Sequence, residues 1–325
     1  MRAVTISAPG GPAKLTSSRV NLDEPGPDEV LIDVAAAGIN RADLLQRTGH
    51  YPPPAGAPAW PGLEISGTVR RAGHESSPWR PGDRVVALLE GGGYAEQVVV
   101  RGTQVLPAPE GVDLVDAAAL PEAACTAWTN LVDTARLRAG EHVLVQGGSG
   151  GVGSVAVQLA TALGAHVITT AGGPERVARC LGLGAEVAVD HRAEDVVEAV
   201  RAATEGRGAD VVLDVLGACG LRDNVRALAT GGRLVVIGLQ QGARGEIDLG
   251  ALMARRAWVT GTTLRSRSAA EKAALVAAVR EHVWPMVAEG RLRPVVHARI
   301  PLDEAARAHE LLESGVPFGK VLLVP

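Results

Sequence analysis

The chain has 325 residues, 46% of them apolar and 21% charged, with a formal net charge of −4. That length suggests about two domains and a large core, while an acidic balance without a run of Lys or Arg argues against a nucleic-acid partner. Cys125, Cys180 and Cys219 are odd in number and far apart, which speaks against a disulfide framework or zinc-ligand spacing.

No uncharged apolar run reaches membrane-spanning length, and Met1–Ser7 reads directly as a strand. A soluble, cytoplasmic protein with no membrane partner is therefore expected. With one Phe and two Tyr beside five Trp, the core has to be aliphatic.

Residues 1–122 read as a β-rich domain of short strands punctuated by Gly and Pro. Glu29–Ala36, Leu63–Arg70, Arg84–Leu89 and Tyr94–Val100 are its strands, and Arg41–Arg47 is one or two turns of helix. Pro52, Pro53, Pro54 and Pro58 stiffen a loop after Tyr51. From 123 to 290 strands alternate with helices, the pattern of a parallel sheet with right-handed crossovers. Six strands are expected, at 142–146, 166–170, 186–189, 210–214, 233–237 and 257–260, with helices at Pro174–Leu181, Ala193–Thr204, Leu221–Ala229 and Ala269–Glu289. This is the strand count of the doubly wound dinucleotide (Rossmann) fold. After Gly290 a strand (Val295–Ile300), a helix (Leu302–Glu313) and a last strand (Lys320–Val324) follow. This tail, 291–325, is expected to rejoin the first domain, with a ligand in the cleft between the two.

The most informative stretch is His142–Gly153. A short apolar strand runs into Gly147-x-x-Gly150-x-x-Gly153, and an uncharged helix leaves it. Glycines at this spacing tighten the turn and let the backbone approach a pyrophosphate, which then faces the free N–H groups and positive dipole end of the helix. Gly147, Ser149, Gly150, Gly151 and Val152 are the expected contacts.

Several pieces spread over the chain carry a resemblance. They are Ala37-Gly38-Ile39-Asn40-Arg41-Ala42-Asp43, Pro61-Gly62-Leu63-Glu64-Ile65-Ser66-Gly67, Pro81-Gly82-Asp83-Arg84-Val85, Gly93-Tyr94-Ala95-Glu96, the 147–153 turn and Gly319-Lys320-Val321. Together they resemble the zinc-free quinone oxidoreductase branch of the medium-chain dehydrogenase/reductase superfamily. The run Asp43–Pro54 is most similar to the tumour-suppressor-inducible type and its bacterial relatives. The resemblance implies a GroES-like catalytic domain beside the Rossmann domain, and a dimer. Zinc-using relatives place a ligand His where Leu63 stands, a ligand Cys near Asn40, and a four-cysteine lobe. All three are missing, and leucine has no lone pair for a metal, so no metal is expected.

A carboxylate normally ends the second strand of an NAD-selective site. Here the strand ends Thr169-Thr170-Ala171-Gly172-Gly173, with no acid to repel a 2′-phosphate, so NADPH is the expected cofactor. By the resemblance, Arg176 stands for a phosphate-binding lysine and His191 lies near the same phosphate; otherwise both are ordinary surface residues. Gly172 and Gly173 line that position. The resemblance also assigns Leu216, Gly217, Ile237, Gly238 and Leu239 to the riboses, and Thr262, Thr263 and Leu264 to the carboxamide. Thr126 is placed near the nicotinamide and Asn40 close to the cofactor. Lys320, one of three lysines, is either a surface residue or the family residue that approaches the cofactor.

The activity implied is hydride transfer from NADPH to a quinone or conjugated carbonyl, which needs a held geometry and a donor for the oxygen that gains charge. Tyr51 is the first donor candidate, or else a loop anchor. Asn40 is the second, or else a helix cap. Trp60 is a pocket wall or a packed indole, Tyr94 reads as structural, and Cys125 as a small packed residue rather than a nucleophile. An enone or enoyl-thioester reductase is the nearest alternative. From another class, a low-turnover nucleotide-sensing or RNA-binding protein is the rival, disfavoured by the charge.

Overall fold

The computed structural model describes residues 1–74 and 78–325. By compactness the chain forms two units, Met1–Cys125 with Leu264–Pro325, and Thr126–Thr263.

The first unit is built on the strand Glu29–Gly38, which pairs with Glu64–Ala72, Gln97–Arg101 and Lys320–Val324, all antiparallel. Val30, Ile32 and Val34 alternate along it into an aliphatic core shared with Ile65, Val69, Val85, Val98 and Leu323. Around it the sheet runs Val296–Pro301, Lys320–Val324, Glu29–Gly38, Glu64–Ala72, Arg84–Leu88 and Val105–Pro107. A separate hairpin pairs Arg2–Ile6 with Leu15–Arg19. Register decides what meets at one end of the sheet. Leu322 pairs with Gly38, and Ala37 with Ile65, so Lys320, Asn40 and Glu64 emerge side by side from three neighbouring strands.

The second unit holds a six-stranded, wholly parallel sheet. In spatial order it runs Val187–Asp190, His166–Ala171, His142–Val145, Ala209–Asp214, Leu228–Val236 and Trp258–Gly261. In chain order this is 3-2-1-4-5-6, so the direction of winding reverses beside the strand that feeds the glycine turn. Doubly wound sheets bind ligands at that switch point. Leu144, Ile168, Val189, Val212 and Leu234 form the core.

Differences from the sequence reading have local causes. Leu15–Arg19 is a strand despite its polar sequence, because it hydrogen-bonds to the N-terminal strand. The helix expected from Ala193 starts at Val196, since Asp195 caps the N–H groups of Val197 and Glu198. The helix expected over Ala269–Glu289 divides into Ala269–His282 and Trp284–Ala288, where Pro285 lacks a donor and crowds the preceding turn. Residues 264–290, read from sequence as part of the second domain, pack within the first unit. Lys272 Nζ reaches Glu90 at 2.6 Å, and Trp284 Nε1 donates to the Pro107 carbonyl at 2.7 Å.

Candidate functional site

In the second unit the glycines of the turn have separate reasons. Gly147 has φ +73°, a region that disfavours side chains. A Cβ on Gly148 would lie 2.1 Å from Thr169 Oγ1, and one on Gly153 2.1 Å from the Gly147 carbonyl oxygen. Gly150 differs: a Cβ there would meet only the Gly147 oxygen, at 3.4 Å. The helix Gly151–Ala162 begins behind it, and among the described residues no side chain caps its first N–H groups. Those donors and the bare Gly150 backbone are what a pyrophosphate requires. The second strand braces the turn. Thr170 Oγ1 accepts from Gly147 N–H at 2.9 Å, and its carbonyl accepts from Gly148 N–H at 2.9 Å.

The second strand closes on buried Thr169, Thr170 and Ala171. His191 N–H donates to the Ala171 carbonyl at 3.1 Å, which brings the end of the third strand beside it. Asp190 Oδ1 accepts from Gly173 N–H at 2.9 Å and Arg192 N–H at 3.1 Å, and these bonds hold its carboxyl below the usual range. Arg192 is the residue that sequence reasoning missed: its Nε lies 2.8 Å from where a Gly172 Cβ would be. Its guanidinium therefore covers Gly172, in the neighbourhood already assigned to Gly173, Arg176 and His191. The signal available was its place next to His191.

The other predicted contacts of this unit gather where the later strands end. Asp214, fully buried, takes the N–H groups of Leu216 and Gly217, each at 2.9 Å, and Ile237 N–H reaches the Asp214 carbonyl at 2.8 Å. A Cβ on Gly238 would strike the Val215 carbonyl oxygen at 2.9 Å. Leu239 follows and is exposed. Thr262 Oγ1 meets Asn130 Oδ1 at 2.6 Å, and Asn130 Nδ2 donates to the Thr126 carbonyl at 2.8 Å, which ties Thr262 to the helix bearing Thr126. Thr263 closes this unit, and Leu264 belongs to the first.

In the first unit Lys320, Asn40 and Glu64 form one buried cluster. Lys320 Nζ reaches Asn40 Oδ1 at 2.5 Å, pairs with Glu64, and has Glu122 Oε2 at 3.7 Å. Burial opposes the charge on Lys320, but the Glu64 and Glu122 carboxylates outweigh it and hold the ammonium above its ordinary range. Asn40 Nδ2 donates to Glu64 Oε1 at 2.9 Å and to the Gly38 carbonyl at 3.4 Å. Both amide hydrogens and the amide oxygen of Asn40 are thus engaged. A Cβ on Gly38 would sit 2.3 Å from Glu64 Oε1, so glycine there makes room for the carboxylate. Leu63 is buried, and Cys125 is fully buried with its thiol pushed up by burial and by Glu122. Among the described residues no group of three or more His, Cys, Asp or Glu side chains is placed to hold a metal ion.

Tyr51 is half-buried. Among the described residues nothing hydrogen-bonds its hydroxyl, while its backbone carbonyl accepts from Arg265 Nη1 at 3.2 Å and the Arg265 guanidinium carbon lies 5.4 Å from its ring centroid. Trp60 donates to the Gly92 carbonyl at 3.0 Å, which fixes the indole in the same unit. Tyr94 is fully buried, with its hydroxyl 3.1 Å from His309 Nε2.

Two family models match the chain: an alcohol dehydrogenase GroES-like domain over residues 26–110 and a zinc-binding dehydrogenase over 151–280. Quinone oxidoreductase of Rattus norvegicus is 32% identical over 100% of this chain and 98% of its own length. The chain belongs to the medium-chain dehydrogenase/reductase superfamily. A second member, quinone oxidoreductase of Pseudomonas aeruginosa, is 33% identical over 100% of this chain and 99% of its own. The crystal structure of Escherichia coli quinone oxidoreductase complexed with NADPH superposes with a TM-score of 0.90, at 29% identity, covering 100% of both chains. This member of the superfamily is accordingly an oxidoreductase with a doubly wound six-stranded sheet and a GroES-like β-rich unit.

Proposed function

We propose that the protein is an NADPH:quinone oxidoreductase that works without zinc. The observation that carries the nucleotide reading is the uncapped start of the helix Gly151–Ala162 behind the bare backbone of Gly150. The Arg192 guanidinium over Gly172, with Arg176 on the next helix and no carboxylate ending the second strand, supports NADPH over NADH, while the Asp190 carboxylate at the end of the third strand is spent on the Gly173 and Arg192 N–H groups. Leu63 in place of a ligand histidine supports a zinc-free reaction. Bound NADPH supplies the hydride. The protein has to orient the acceptor and hydrogen-bond the oxygen that gains charge. Tyr51, with its hydroxyl uncommitted, is the donor we assign. Asn40, whose amide is fully engaged with Lys320 and Glu64, instead holds that buried cluster together. The similarity of the run from Asp43 to Pro54 to the tumour-suppressor-inducible type of quinone oxidoreductase supports a quinone as the acceptor. We also propose a homodimer, formed through the edge strand Trp258–Gly261.

Steady-state assays with quinones, enones and enoyl-CoA, each with NADPH and NADH, test this reading. Quinone turnover with NADPH is expected, and turnover of only the other two acceptor classes overturns it. Tyr51→Phe should lower kcat about a hundredfold, the scale of general acid catalysis, with NADPH affinity unchanged. Full turnover would remove Tyr51 from the chemistry.

A further inference from the structure

Arg265 is 5% exposed, yet among the described residues none of its hydrogen bonds goes to a carboxylate. Its Nε donates to the Glu90 carbonyl at 2.7 Å, Nη1 to the Tyr51 carbonyl at 3.2 Å, and Nη2 to Gln46 Oε1 at 2.8 Å. Gln46 in turn donates from Nε2 to the Ala59 carbonyl at 2.9 Å. The guanidinium thereby grips the proline-stiffened loop at Tyr51 and, through Gln46, near its far end. Glu90, the nearest acid on the gripped segment, spends its carboxylate on Lys272. The positive charge lies 5.4 Å from the centroid of the Tyr51 ring, and the Asp43 and Glu90 carboxylates also favour it electrostatically. A planar guanidinium can bond in its own plane and lie over a ring with its face, which an ammonium cannot do.

We propose that Arg265 is a positioning residue for Tyr51, locking the loop that carries the phenol and holding a positive charge against its ring so that the hydroxyl is a preset, polarised donor. This rests on the reading of Tyr51 as the donor to the acceptor oxygen. Burial raises the phenol above its ordinary range, and the charge of Arg265 pulls it back. An oxygen gaining charge is best served by a phenol that is fixed in place and made more acidic.

The test uses the fact that the chain has two tyrosines. Tyr94 is fully buried and its hydroxyl is held well above the usual range, so the first phenol to ionise in an ultraviolet difference titration is Tyr51, an assignment checked with Tyr51→Phe. In Arg265→Met this ionisation should move to higher pH, and Arg265→Lys should bring it part of the way back. Turnover of quinone by Arg265→Met should fall about ten- to a hundredfold, the scale of a misplaced catalytic group, with the NADPH dissociation constant within twofold. The double variant Arg265→Met/Tyr51→Phe should be no slower than Tyr51→Phe alone. An unmoved phenol ionisation in Arg265→Met overturns the inference, as do additive kinetic losses. If Arg265→Met does not fold, Arg265→Lys carries the test: unchanged ionisation and unchanged kcat in that variant also overturn it. Full activity of Tyr51→Phe would instead end the donor reading, while the titration still reports whether Arg265 acts on Tyr51.

Discussion

Tyr94 and His309 are joined in the core of the first unit, with 3.1 Å between the phenol oxygen and Nε2 and ring planes crossing at 85°. Arg47 Nη1 lies 3.2 Å from the other ring nitrogen, Nδ1. A guanidinium only donates, so Nδ1 bears the lone pair and Nε2 the proton. His309 therefore donates to the Tyr94 oxygen, which leaves the Tyr94 hydrogen for Asp43. Asp43 also accepts from Asn40 N–H at 2.8 Å and Gly62 N–H at 2.9 Å, and so ties the start of the helix Arg41–Arg47 to the loop before Glu64. The chain of donors sets the backbone from which Asn40 and Glu64 project. Arg47, at the other end, pairs with Glu313.

His309→Leu should cost about 3 kcal/mol in urea melts at pH 7, because Arg47 and Tyr94 each lose a buried partner. The cost should depend on pH. Burial, aided by the Arg47 charge, lowers His309 to about 3 in the folded protein, whereas the unfolded chain takes up this proton near pH 6.5. Between these values the unfolded state binds more protons, so the histidine's contribution to stability falls as pH falls. The slope is about 1.4 kcal/mol per pH unit within the window. The gap between wild type and His309→Leu should thus narrow from pH 6.5 towards 4. A gap constant over that range would show that the ring is not held neutral.

Two glycines of the turn should separate folding from nucleotide binding. In Gly153→Ala the new methyl meets the backbone carbonyl of Gly147 at 2.1 Å, and the second unit should lose about 2 kcal/mol or more through overpacking. Gly150→Ala meets nothing closer than 3.4 Å, at φ −79°. It should melt within a few degrees of wild type and yet bind NADPH at least tenfold more weakly by calorimetry, since the methyl stands where a pyrophosphate approaches. Undiminished NADPH affinity in Gly150→Ala would remove the turn from the binding site.

How far the sequence was legible follows from the range of its interactions. Hydrophobic runs ending in Gly147–Gly153 are local, and the six strands of the second unit lie within a few residues of their expected limits, apart from the earlier start of Leu228–Val236. Tyr94 and His309 are 215 residues apart, and Arg47 and His309 are 262 apart. No local pattern announces such pairs. Lys320 was legible as unusual but not as buried, because its partners become visible only once Leu322 is registered on Gly38. Arg192 and Arg265 were hidden for the same reason: each matters through a glycine or a ring brought to it by the fold.

The position of Arg192 over Gly172 predicts a cofactor phenotype. Arg192→Ala should weaken NADPH about tenfold or more by removing one charge-assisted contact to a phosphate, and leave NADH within twofold. Arg176→Ala should act in the same direction. The adenosine 2′,5′-bisphosphate fragment, titrated calorimetrically against 5′-AMP, isolates the 2′-phosphate from the rest of the nucleotide. Equal losses for the phosphorylated and unphosphorylated ligands would mean that neither arginine reads that phosphate.

The edge of the parallel sheet supplies the last prediction. Among the described residues Trp258–Gly261 pairs on one side only, with Leu228–Val236, and all four of its residues are exposed. Trp258 is 72% and Met253, on the preceding helix, 77% exposed. An unpaired strand edge bearing a large aromatic is a template for another strand, and a second copy related by a two-fold axis would present the same edge in return. Sedimentation velocity should find the wild-type protein as a dimer at micromolar concentration. Val259→Lys sets two like charges close to such an axis, where the penalty counts twice, and should shift the protein to a monomer with little change in its melting temperature. A wild-type monomer, or a Val259→Lys dimer as tight as wild type, would mean that this edge is not where two copies meet.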